Sequence, residues 1–108
     1  MKDVFISSDN VLSPIAGNTA ANFAQLKRSI SAVQLQEDGS MSDVPFMASL
    51  FAHDKPILKE YPDKPYTKFE RLLINSISDA LQKENINSRD KKTVLIISTT
   101  KGNISLLE

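Results

Sequence analysis

Cysteine is absent from all 108 residues, which excludes disulfides, thiolate metal ligands and a thiol nucleophile. An excess of charge of either sign is absent too. Thirteen Lys and Arg balance thirteen Asp and Glu, so there is no electrostatic footprint for nucleic acid or an anionic membrane surface. Long hydrophobic runs are missing: the longest, Val94 to Ile97, is four residues, against the ~20 needed to span a bilayer. Met1-Lys2-Asp3 leads directly into Val4-Phe5-Ile6 and then polar residues, which is no signal peptide. Histidine occurs once, as His53. The expectation is a cytoplasmic chain with no nucleic-acid or membrane partner.

What is present is ordinary for a globular protein: 41% hydrophobic and 24% charged residues. The length allows one domain at most, burying roughly 60–70% of the surface its unfolded chain exposes. Val4-Phe5-Ile6 reads as a short strand without in/out alternation, suited to a doubly buried position. Leu12 to Asn18 is an irregular crossing, and Asn18 or Thr19 can cap a helix whose apolar stripe is Phe23, Leu26 and Ile30. Ser29 and Ser31 weaken the end of that helix. Ala32 to Leu35 has the makings of a brief strand before the turn Glu37-Asp38-Gly39-Ser40. Phe46 to Phe51 is a further strand candidate, with Phe46, Ala48 and Leu50 alternating against Met47, Ser49 and Phe51. Four of the five prolines lie at 45, 56, 62 and 65, and proline lacks the amide donor of regular elements. Residues of about 45–66 are therefore expected to form mainly an irregular covering loop.

Thr67-Lys68-Phe69-Glu70 fits a capping box. Phe69, Leu72, Leu73, Ile77, Ala80 and Leu81 follow with a period near 3.6, predicting a helix over 67–84 that ends at a left-handed Asn85, with Ile86 folded back on its last turn. The chain then runs through a charged turn into a strand over 93–98. Buried strands joined through helices imply parallel pairing with right-handed crossovers, which is the α/β class. Two doubly buried strands need helices on both faces, and the pattern supplies only two convincing helices. The missing layer is expected from residues beyond 108 or from a partner, so the chain should associate, as a homo-oligomer or with the rest of a larger protein.

The order Val4-Phe5-Ile6, Val11-Leu12-Ser13-Pro14-Ile15-Ala16-Gly17-Asn18, helix, capped helix and Val94-Leu95-Ile96-Ile97 resembles the amino-terminal part of the β-ketoacyl synthases, the thiolase-like condensing enzymes. Ser98-Thr99-Thr100-Lys101-Gly102-Asn103 looks like the Gly-containing loop that follows that family's strand. The resemblance spans essentially the whole chain, but only about the first quarter of a typical synthase. It implies an incomplete thiolase-like fold with a mostly parallel sheet and helices from strand–helix–strand crossovers. It further implies a parent acyltransferase that performs decarboxylative Claisen condensation of an acyl thioester with malonyl-acyl carrier protein, in fatty acid or polyketide-type synthesis, as a dimer and without metal or redox cofactor. The chain departs from the pattern in carrying Ser7-Ser8-Asp9-Asn10 where a "T-G-x-G" turn is usual. The family's cysteine nucleophile and two catalytic histidines are also missing, so this chain alone should be inactive.

Few residues invite chemistry. His53-Asp54 could be imagined as an oriented base, but no nucleophile accompanies it, and a solvated surface dipeptide is the plainer reading. Thr99 to Asn103 could cradle a phosphate at a helix start, yet it lacks the G-x-x-x-x-G-K-[ST] spacing. By the resemblance, Thr100, Lys101 and Gly102 would border the acyl pocket of the intact parent. The alternative is a plain turn with Gly102 at positive φ. The remaining alternatives are a small non-catalytic α/β interaction module and the front of a non-catalytic synthase-like subunit.

Overall fold

A computed structural model of the chain describes residues 2–51, 63–103 and 106. Among the described residues there are four regular elements: helix α1 (Thr19–Lys27), strand β1 (Val33–Gln36), strand β2 (Phe46–Ser49) and helix α2 (Lys68–Gln82). They are distributed over two compact units, one of Val11–Leu58 and one of Met1–Asn10 with Lys59–Glu108.

In the Val11–Leu58 unit, α1 begins as its sequence dictates. Asn18 is extended at φ −148 and its side-chain oxygen accepts from the Ala21 amide at 2.9 Å, satisfying one donor of the open first turn. The helix stops after nine residues in a Schellman arrangement: the Ile30 amide donates to Gln25 O at 3.0 Å and the Ser29 amide to Leu26 O at 2.9 Å. This requires a left-handed residue, and Ser29 supplies it at φ 57 despite the crowding of its Cβ. The serine that weakens the helix end is thus the residue that turns the chain.

β1 and β2 form an antiparallel pair, with Val33 opposite Ser49 and Gln36 opposite Phe46. The connection is tied by Asp38, whose carboxylate accepts from the Ser40 amide at 2.9 Å and whose carbonyl accepts from the Met41 amide at 3.0 Å. Along β2, Phe46 and Ala48 are half-buried while Met47 and Ser49 are exposed, the alternation expected of a two-faced strand.

In the other unit, α2 opens on the capping box read from the sequence. Glu70 N donates to Thr67 Oγ1 at 3.2 Å and Thr67 N donates to Glu70 Oε2 at 2.8 Å. The helix closes at Lys83 rather than at a left-handed Asn85, because among the described non-glycine residues only Ser29 has positive φ. An Asp79–Lys83 ion pair at 2.8 Å spans its last turn.

The expected architecture is corrected in three respects. The sheet is two-stranded and antiparallel, β1 beside β2, in place of a mostly parallel sheet with crossover helices. A short polar connection such as Glu37–Pro45 brings back an antiparallel neighbour, whereas parallel pairing needs a crossover of a dozen residues or more. Val4–Ile6 and Val94–Ile97 are not strands. Their side chains are exposed, 84–95% and 51–85% accessible, since an apolar run becomes a strand only when a neighbour takes up its amides and carbonyls. Finally, the stripe of α1 is not buried: Phe23 and Leu26 are exposed, Phe23 lying under the Lys27 ammonium at 4.6 Å. The buried residues among those described are Ala16 and Asn22.

Candidate functional site

The loop that follows the aliphatic run is the first candidate. Thr99 Oγ1 accepts from the Gly102 amide at 2.9 Å and the Lys101 amide at 3.4 Å, a hydroxyl-closed turn. Gly102 sits at φ 52, where a side chain would be strained. A Cβ there would meet Thr99 Cγ2 at an ordinary 3.5 Å, so the backbone angle and not crowding calls for glycine. Thr100 and Lys101 are exposed. The expected pocket-edge residues Thr100, Lys101 and Gly102 therefore lie together on one turn.

Asn103 fastens that turn to the start of α2. Its Oδ1 accepts from Thr67 Oγ1 at 2.7 Å, and its Nδ2 donates to Glu70 Oε1 at 3.3 Å. Thr67 and Glu70 thus serve two purposes, capping α2 and holding the 99–103 turn against its first residues. The Glu70 carboxyl is held below its ordinary pKa, chiefly by the bond from the Thr67 amide. Desolvation opposes this, and the side chains of Thr67 and Asn103 add to the lowering.

The other end of α2 is tethered by Ser8, Asp9 and Asn10. Ser8 Oγ donates to Ala80 O at 2.7 Å, Asn10 Nδ2 to Ser76 Oγ at 3.0 Å, and Lys83 Nζ to Asp9 O at 3.4 Å. The Ser8-Asp9-Asn10 segment runs along the carboxy-terminal half of the helix, with side-chain donors from Ser8 and Asn10 and a main-chain acceptor from Asp9.

In the Val11–Leu58 unit, the irregular crossing is organised by Asn22, 6% exposed. Its Nδ2 donates to Val11 O at 2.8 Å, Ala16 O at 3.0 Å and Asn18 O at 2.9 Å, and its Oδ1 accepts from Ser13 Oγ. One amide thus pins the crossing onto α1. Beside it lies an open cleft of about 530 Å³, lined by Pro14, Ile15, Gln25, Arg28, Ile30 and Gln34 among others. Neither Thr100, Lys101 nor Gly102 lines it.

His53-Asp54 lies outside the described residues. Among the described residues no group of three or more His, Asp or Glu is placed to hold a metal ion, and no helix is long and apolar enough to cross a membrane. Sequence reasoning missed Asn22 and Asn103. Asn22 left a signal, a short amide inside a helix next to an apolar stripe, where Asn is a poor helix former unless its side chain is engaged. Asn103 left none beyond its place after a glycine turn.

No family model, curated protein or solved structure matches the chain.

Proposed function

We propose that this chain is the amino-terminal structural portion of a β-ketoacyl synthase-like condensing enzyme, working in the cytoplasm and contributing no catalytic residue of its own. The observation that carries the reading is the bareness of Val4–Ile6 and Val94–Ile97. Seven large apolar side chains standing in water forgo roughly 1.5–3 kcal/mol each relative to burial, which is sustainable only if further polypeptide covers them.

The residues around these runs carry the resemblance, and the cysteine and histidine chemistry of such enzymes is assigned to the covering polypeptide. On this reading the 99–103 turn, with Thr100, Lys101 and Gly102, borders the acyl pocket of the assembled protein. Asn103 keeps it fixed on Thr67 and Glu70. Acyl thioester and acyl carrier protein are partners of the assembled enzyme only.

The test is the transcript beyond the Glu108 codon. The reading expects continued coding with a cysteine and two histidines downstream. A stop codon immediately after Glu108 overturns it and favours a small interaction module. Continued coding without those residues leaves a non-catalytic partner subunit in its place.

A further inference from the structure

Among the described residues β1 has one hydrogen-bonded strand neighbour, β2, so its outer edge carries no second ladder; the Val33 amide donates to Ser31 Oγ at 3.1 Å. Val33, Gln34 and Leu35 are exposed, and the cleft beside this strand, lined by Ala32 and Gln34, brings apolar Pro14, Ile15 and Ile30 together with polar Gln25 and Arg28. A two-stranded sheet is marginal in water and gains most from a third strand. Elsewhere in the chain, Val94-Leu95-Ile96-Ile97 is a four-residue aliphatic run with no regular partner. It has high strand propensity and no proline or glycine. Each segment has what the other lacks.

From this complementarity we infer that, in the chain alone, Val94–Ile97 of one copy adds as a third strand to the outer edge of β1 in a second copy. The inference rests on the preceding reading only in requiring that Val94–Ile97 needs a strand neighbour. It is indifferent to what the parent protein does. Main-chain bonds supply the pairing and alternate side chains face the cleft, beside Pro14, Ile15 and Ile30, the usual logic of strand addition. The balanced charge, thirteen against thirteen, removes the mutual repulsion that keeps many chains apart. A strand and its receiving edge bury on the order of 400 Å² per partner. If two copies exchange strands reciprocally this doubles to about 800 Å², the scale of a stable interface.

The absence of cysteine makes the test clean. A nitroxide is attached to Ser98→Cys, an exposed position just past the run, and that chain is mixed with isotope-labelled wild type carrying no label site. The expected result is loss of amide signal in the wild-type chain that is steepest at Val33–Gln36 and weaker at Phe46–Ser49, one strand further away at about 4.8 Å per step. A second label at Lys91→Cys, exposed before the run, should reproduce the pattern with the gradient along β1 reversed. Ile96→Lys in the labelled chain should weaken the association at least about tenfold, the lower bound for losing one buried aliphatic side chain. Signal loss centred on Val94–Ile97 or Val4–Ile6 of the wild-type chain overturns the inference, as does no loss at concentrations where sedimentation shows a dimer. A chain that stays monomeric at all concentrations overturns it too. None of these outcomes bears on what lies downstream in the transcript, so the two proposals fail separately.

Discussion

Replacing Asn22 by alanine removes the side-chain amide that, together with Thr19 Oγ1 accepting from the Val11 amide at 2.9 Å, holds the 11–18 crossing on α1. Nδ2 carries two hydrogens and faces three carbonyls, at Val11, Ala16 and Asn18, so at least one hydrogen is shared. Asn18 O also accepts the Asn22 main-chain amide at 2.9 Å and keeps a partner in the variant. Ala16 O likewise accepts the Ser13 main-chain amide at 3.0 Å, so the groups that lose theirs are Val11 O and the Ser13 hydroxyl. At about 1 kcal/mol net for each of the two bonds, less about 0.6 kcal/mol returned by the better helix propensity of alanine, the loss is about 1.4 kcal/mol. Amide exchange of Asn22 to Leu26 reads it directly, as a drop in protection of about tenfold. Asn22→Asp sharpens the test, because a carboxylate would face three carbonyl oxygens with no donor to offer, and it should be worse than alanine at neutral pH. An alanine variant within threefold of wild type, or an aspartate variant no worse than alanine, would refute the role given to Asn22.

Ser29→Gly should stabilise the Val11–Leu58 unit by about 0.5–1 kcal/mol, read by urea unfolding, because φ 57 is free for glycine and strained for serine. Thr67→Ala should cost about 1 kcal/mol of α2 stability and increase the mobility of Gly102 in amide relaxation, because Asn103 loses its hydroxyl donor. Glu70 gives a pH dependence of known sign. Its folded pKa lies below the unfolded one, so its contribution is fully present above about 4.3, the ordinary glutamate value. That contribution fades as the pH falls through the lower folded value. A helicity titration of wild type should therefore show an acid transition that Glu70→Gln diminishes. An unchanged transition would contradict the sign.

The helices were legible because their ends are written in local chemistry. Asn18 and Thr67 cap where capping residues are expected, and the Thr67–Glu70 box forms as the spacing predicts. Strand positions were partly legible: residues 33–36 and 46–49 lie within or one residue beyond the segments of high strand propensity. Pairing was not legible. Direction depends on which segments meet, and two aliphatic runs that look like buried strands carry no instruction about their neighbours. The stripe of Phe23, Leu26 and Ile30 misled for a related reason, since a period of 3.6 states that a face is apolar and not that anything covers it. At the candidate site, the turn at Thr99 to Gly102 was readable from its glycine. Its attachment through Asn103 joins residues 36 positions apart, a separation that no local pattern encodes.

Amide exchange at Val94–Ile97 as a function of chain concentration tests the central claim most directly. The account predicts near-unprotected amides in dilute solution and rising protection on concentration, in step with Val33–Gln36. Strong protection already present at high dilution and independent of concentration would contradict it, because the run would then have found its partner strand within its own chain.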